Sequence, residues 1–133
     1  MARNAIDRLV AAIGYPDRVA EGSSLAMLRV DGFEVSASVA GGRLVLSQRL
    51  TAGTDRLPEL AGYAAGRMLR EEAVLAFGDG AAFVWQDASS ESDDRALVRL
   101  FESFMDSCDW WRARVERRQE EASPQLSDMV ILP

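Results

Sequence analysis

The chain has 133 residues, with 15 basic residues against 21 acidic ones, a formal net charge of −6 and a hydrophobic fraction of 48%. This length predicts one domain with its own core, and the hydrophobic fraction excludes a chain that is disordered throughout. The negative charge argues against nucleic acid as a partner, because a phosphate backbone would be repelled.

Several kinds of chemistry lack their usual residues. The chain has no His and a single Cys, Cys108, so the commonest general base and zinc ligand are missing and no intrachain disulfide can form. Cys108 is predicted to be a packed, unreactive thiol. We therefore expect no catalytic residues, no cofactor and no metal. No apolar run is long enough for membrane insertion and no signal peptide is apparent, so a cytoplasmic location is expected.

The first elements are predicted from capping and periodicity. Asn4 is placed to cap a helix that runs to about Ile13, and Gly14 and Pro16 end it. Two-residue turns then predict three strands, over residues 25–30, 33–39 and 43–50. Alternation assigns one face of these strands to the core, with the residues Phe33, Val35, Ala37, Val39, Leu44, Leu46 and Leu50.

The sequence pattern in the middle of the chain predicts a second helix and a second hairpin. The helix begins at Thr54 or Asp55 and ends near residue 70, and its Gly- and Ala-rich surface favours close approach of another element. We predict a dimer interface on this helix, formed by Leu60, Ala64 and Leu69. Strands are then predicted over residues 73–77 and 81–86, with an inner face formed by Leu75, Phe77, Phe83 and Trp85.

A final helix is predicted to begin with Ser92 as its cap. Its apolar positions recur at helical spacing and include Cys108 and Trp111, whereas Trp110 lies off that stripe and is predicted to be partly exposed or at an interface. The pattern ends near residue 121. We therefore expect a single domain over residues 1–121 and a flexible C-terminal tail over residues 122–133.

The order α-β-β-β-α-β-β-α resembles the class I type III secretion chaperones, the Tir-chaperone or CesT-like family, over about residues 3–118. The resemblance includes the two hairpins, Leu28–Val35 and Val74–Trp85, and the closing run Trp110-Trp111-Arg112. It implies an α+β sandwich, with an antiparallel sheet packed by helices, that forms a cytoplasmic homodimer in bacteria. It further implies binding of the N-terminal segment of a secreted effector in extended form, with export driven by the secretion ATPase as a possible further partner.

An extended peptide can add to a sheet edge and place alternate side chains in apolar grooves. In this family the first helix lies beside the sheet, so we predict effector-binding residues along that junction: Ile6, Val10, Ile13, Leu28, Val30 and Val45. Two alternatives remain open. One is a regulatory or apparatus chaperone of the same fold that forms half of a heterodimer, and the other is a small enzyme or ligand-sensing domain.

Overall fold

The structure is a computed structural model that describes residues 4–50, 73–78 and 81–131. Within these ranges the elements follow the predicted order and confirm the α+β fold class. They are α1 (Ala5–Ala12), β1 (Leu25–Val30), β2 (Phe33–Ala40), β3 (Arg43–Leu50), β4 (Val74–Gly78), β5 (Ala81–Ser89) and α2 (Asp94–Ile131). The helix predicted near residues 55–70 lies outside the described residues.

The start of α1 is held by a reciprocal cap. The Asn4 side chain accepts a hydrogen bond from the Asp7 backbone N–H at 2.9 Å, and the Asp7 carboxylate accepts one from the Asn4 N–H at 3.2 Å. Both satisfy N–H groups that a helix start leaves unpaired. Asp7 also accepts from the Gly22 N–H at 3.1 Å, which ties the loop before β1 to the helix. The capping role predicted for Asn4 is confirmed.

The five strands form one antiparallel sheet in the order β1-β2-β3-β5-β4. Asp31 and Gly32 join β1 to β2 with φ angles of 51° and 82°. A tight turn with positive φ at both central residues matches the right-handed twist of the strands that it connects. In the described part of the chain β1 is one edge of the sheet and β4 is the other.

Both helices pack on one face of the sheet, here called the inner face, and the opposite face is called the outer face. The core lies between them and includes Ile6, Leu9, Leu28, Val35, Leu44, Leu46, Val84, Leu97, Phe104, Cys108 and Trp111. The Arg8 side chain donates to the backbone carbonyls of Ser90 and Ser92, in the turn before α2. This contact ties the first helix to the start of the last one.

The inner face of β5 differs from the prediction. Ala82, Val84 and Gln86 are fully buried there, whereas Phe83 and Trp85 are half-buried on the outer face. Residues 81–85 are apolar without interruption, so alternation cannot tell which set faces inward, and choosing the larger side chains was wrong.

Two buried glutamines also lie on the inner face. Gln48 is 3% exposed and stands opposite Val84, and Gln86 is fully buried and donates to the Ser103 hydroxyl at 3.4 Å. Neither amide atom of Gln48 has a hydrogen-bond partner among the residues that the structure describes. The interior therefore contains an amide whose desolvation no such bond offsets.

Phe33 begins β2 at the hairpin end, where the core thins out. Its ring is predicted to lie in the core but is 42% exposed, and the Arg112 guanidinium carbon lies 3.6 Å from the ring centroid. Arg112 in turn pairs with Asp109, one turn earlier on α2. This cation–π contact joins the middle of α2 to the first hairpin.

Two features of α2 differ from the prediction. Its cap is Asp93 and not Ser92, since the Asp93 carboxylate accepts from the Ala96 N–H at 2.8 Å. Its helical backbone continues to Ile131, past Pro124 and beyond the predicted end of the pattern near residue 121, whereas the flexibility of residues 122–133 stays a prediction. Apolar periodicity is lost near residue 121, but this loss is not by itself a signal that ends a helix.

Candidate functional site

The outer edge of β1, here called its free edge, pairs with no other strand among the residues that the structure describes. In a two-residue hairpin the residues next to the turn, here Val30 and Phe33, form a hydrogen-bonded pair, and such pairs recur at every second position. The bond from the Val39 N–H to the Ser24 carbonyl, 2.9 Å long, continues this pattern at the far end. The N–H and C=O groups of the intervening residues Leu25, Met27 and Arg29 therefore point away from β2.

The side chains of β1 alternate between the two faces. Leu25 and Met27 lie on the outer face and are 61% and 57% exposed. Leu28 is buried on the inner face, and Ala26 and Val30 are half-buried beside it. A strand added at this edge would meet apolar side chains on both of its faces.

Tyr15 closes one end of this edge. It lies three residues after the end of α1, just beyond Gly14, whose φ of 69° takes the chain out of the helix. The Tyr15 hydroxyl accepts a hydrogen bond from the backbone N–H of Arg29 at 2.9 Å. This bond confirms independently that the Arg29 N–H faces the edge and not β2.

A cavity lies beside the same tyrosine. Its volume is about 500 Å³, and α1 and the loop that follows it form the wall. The lining residues are Asp7, Val10, Ala11, Tyr15, Arg18, Val19, Ala20 and Glu21. The wall thus combines aliphatic surface with charged groups of both signs next to the β1 edge.

The residues predicted to bind an effector occupy three kinds of position. Ile6 and Leu28 are 0% and 1% exposed and belong to the core. Val10, Ile13 and Val30 are half-buried and pack against the core from its margin. Of the residues predicted on α1 and β1, these three are therefore the ones whose side chains keep some exposed surface.

Val45 lies apart from the other candidates, because β3 places it on the outer face, opposite Ser38 and Asp87. The predicted interface residues Leu60, Ala64 and Leu69 lie outside the described residues. No metal-binding group of three or more His, Cys, Asp or Glu residues occurs within the described ranges. In the same ranges no helix is long and apolar enough to cross a membrane.

Three residues at this edge were missed in the sequence. One face of the predicted first strand carries Leu25, Met27 and Arg29. The charged Arg29 indicates that this face is exposed to solvent, so Leu25 and Met27 are expected to be exposed apolar side chains. Tyr15 lies between the two helix-ending residues Gly14 and Pro16, and the sequence pattern assigns it no role.

Cys108 has the environment predicted for it. It is fully buried on α2, and burial raises the pKa of its thiol from 9.0 to about 12. The Arg112 charge opposes this rise in pKa, and Asp109 adds to it. The thiolate, which is the nucleophilic form, is therefore strongly disfavoured at neutral pH.

No protein-family model and no curated protein matches this chain, but several solved structures do. A chain of the HopA1-SchA chaperone-effector complex matches with a TM-score of 0.65 at 17% identity, over 82% of this chain and 91% of that one. The ExsC-ExsE complex gives 0.64 at 18% identity, over 83% and 92%.

The heterodimeric ExoU-SpcU complex from the type III secretion system of Pseudomonas aeruginosa gives a TM-score of 0.63 at 20% identity, over 84% of this chain and 98% of that one. At these identities the likeness concerns the fold, and it extends over nearly the whole length of each matched chain. The protein therefore shares its α+β fold with chains found in a chaperone-effector complex and in a type III secretion complex.

Proposed function

We propose that this protein is a type III secretion chaperone that binds an extended segment of a secreted effector along the free edge of β1. The observation that carries the proposal is this edge, where the outward-facing backbone groups of Leu25 and Met27 pair with no strand that the structure describes and lie beside exposed apolar side chains. The shared fold with a chaperone-effector complex supports the same function. Membership of the Tir-chaperone or CesT-like family, a cytoplasmic location and binding to the N-terminal part of the effector belong to the same proposal.

In strand addition, the affinity for the effector and the selectivity for its sequence come from different contacts. Backbone hydrogen bonds to Leu25 and Met27 do not depend on the effector sequence, whereas alternate side chains contact different surfaces. On the inner side these surfaces are the margin formed by Val10, Ile13 and Val30, and on the outer side they are Leu25 and Met27. The net charge of −6 favours effector segments that carry basic residues.

The effector itself can be identified by affinity capture of the tagged chain from its source bacterium, grown so that secretion genes are expressed. Limited proteolysis of the captured complex then maps the bound segment. We expect one or a few larger proteins, protected over a short segment near their N-termini. Recovery of a small partner at equal stoichiometry would favour the heterodimer alternative, and recovery of no protein partner would refute chaperone function.

A backbone variant tests the β1 edge. Met27→Pro removes an N–H group that faces away from β2, so the existing ladder keeps its hydrogen bonds and the fold should be retained. We expect this variant to lower effector affinity at least tenfold. Met27→Thr is the matched control, because it shortens the side chain and keeps the N–H. If both variants bind equally, the site is not a strand-addition edge.

Self-association is a separate part of the proposal. Leu60, Ala64 and Leu69 belong to the predicted Gly- and Ala-rich helix, to which another subunit could approach closely, and we propose them as contact residues of a homodimer. Light scattering of the purified chain should give the mass of a homodimer, and Ala64→Arg should reduce it to that of a monomer. A dimer that survives this substitution would show that the interface lies elsewhere.

A further inference from the structure

We propose that the Tyr15 hydroxyl occupies the position that a backbone carbonyl of a bound effector strand, here called the client strand, would take. Binding of the client strand then displaces the hydroxyl from the β1 edge. The proposal rests on the proposed function, since it assumes that a peptide strand adds to β1. It assigns to Tyr15 a regulatory role, which is to limit how far along β1 a peptide can pair before the tyrosine moves.

The hydrogen-bonding pattern of β1 defines the position that the Tyr15 hydroxyl occupies. Leu25, Met27 and Arg29 all direct their N–H groups to the open edge, and an added strand would supply a carbonyl to each of them. The Arg29 N–H already has an acceptor, the Tyr15 hydroxyl at 2.9 Å. The phenol oxygen therefore occupies the place that the third carbonyl of a client strand would take.

In the free protein, Tyr15 protects part of the β1 edge from pairing with other chains. An open strand edge with exposed apolar side chains is a hazard, because another chain can pair with it. Leu25 and Met27 form such an edge, and Tyr15 shortens it by one of its three outward-facing residues. A strand that pairs with Leu25 and Met27 alone can bind while the tyrosine stays in place, and a longer strand has to displace it.

The Tyr15 side chain has room to move away from Arg29. Its side chain is half-buried and forms part of the wall of the cavity of about 500 Å³. A ring that leaves Arg29 can turn toward this space without disturbing the fully buried core. Tyr15→Phe keeps the ring and its packing and removes only the hydrogen bond, so it isolates the competition for the Arg29 N–H.

The test uses the purified full chain and a defined probe, the acetylated and amidated peptide Arg-Val-Thr-Val-Thr-Val-Arg. Its alternating β-branched residues favour an extended strand, and its arginines complement the acidic chain. Peptide binding is measured by titration with NMR detection of backbone amides, and amide hydrogen exchange is measured with and without the probe. We expect the Arg29 amide of the free wild type to exchange more slowly than the Met27 amide, and this difference to vanish in Tyr15→Phe.

With the probe, we expect Tyr15→Phe to bind about three- to tenfold more tightly than the wild type, which corresponds to the net value of one hydrogen bond. In both complexes the Arg29 amide should be protected at saturation. A four-residue probe, Arg-Val-Thr-Val, is too short to reach Arg29 if it pairs with Leu25 and Met27, and it should bind both proteins equally.

The outcomes separate the two proposals. If the Leu25 and Met27 amides respond to the probe and Tyr15→Phe binds no more tightly than the wild type, strand addition stands and the role of Tyr15 is overturned. If the probe perturbs neither amide in either protein, strand addition at β1 fails, and the proposed competition fails with it.

Discussion

Gln48 allows a stability prediction whose sign opposes that of most core substitutions. Its side chain is 3% exposed, between the buried Leu46 and Leu50 on the inner face of β3, and neither amide atom has a hydrogen-bond partner among the described residues. Leaving a buried polar group unpaired costs about 1–3 kcal/mol. Gln48→Leu keeps a side chain of similar size and removes both polar groups, so we expect the free energy of unfolding to rise by about 2 kcal/mol.

Chemical and thermal unfolding measure this change. With a urea m-value of about 2 kcal/mol/M, a gain of this size moves the unfolding midpoint by about 1 M. At about 4 °C per kcal/mol, the Tm should rise by about 8 °C. Both shifts should appear with an unchanged m-value.

Gln86→Leu is the matched control. Gln86 is equally buried but donates to the Ser103 hydroxyl, so this substitution removes a bond that folding forms and should lower stability by about 1 kcal/mol. If Gln48→Leu is destabilising, or if both variants change stability alike, the argument that the Gln48 amide is buried at a net cost is refuted.

Three further predictions concern local features. Asn4→Ala removes the reciprocal cap of α1 and should lower the free energy of urea unfolding by about 1 kcal/mol. Gly32→Ala places a side chain at a φ of 82° and should cost about 1–2 kcal/mol in the same assay, whereas Ala40→Gly, outside the turn, should cost less. The neutral form of the Cys108 thiol is favoured in the folded state, because burial raises its pKa from 9.0 to about 12. Stability from this group is therefore complete below pH 9 and should fall by up to about 1.4 kcal/mol per pH unit between pH 9 and 12. Cys108→Ala should remove that part of the alkaline decline, and an identical decline in the variant would contradict the argument.

Features set by neighbouring residues were predictable from the sequence. Asn4 and Asp7 form a cap because they lie three positions apart, and Asp31-Gly32 forms a turn because both residues tolerate positive φ. The spacing of Leu44, Leu46 and Leu50 at even positions, with Arg43, Ser47 and Arg49 at odd ones, correctly identified the inner face of β3. In each case the signal is contained within a few residues of chain.

Features set by packing between distant segments were not predictable in this way. The facing of Phe83 and Trp85 depends on how closely α2 approaches the sheet, and a continuous apolar run does not encode that distance. Apolar periodicity also cannot separate a core residue such as Leu28 from a residue at the core margin such as Val30. The bond from Arg29 to Tyr15 depends on the path of the intervening loop, which no spacing rule specifies.

The hydrogen bonds from Arg8 to the turn before α2 affect the order in which parts of the chain fold. The Arg8 guanidinium donates to carbonyls 82 and 84 positions later in the chain, and α1 has only eight residues, too few for a helix to persist unaided in water. During synthesis α1 is made 82 positions before the first carbonyl that Arg8 binds, and this helix is therefore expected to dock late. Tyr15 lies three residues after the end of that helix. We therefore expect its bond to Arg29 to form late as well, so that a nascent chain passes through a stage in which the Arg29 N–H is open to another strand.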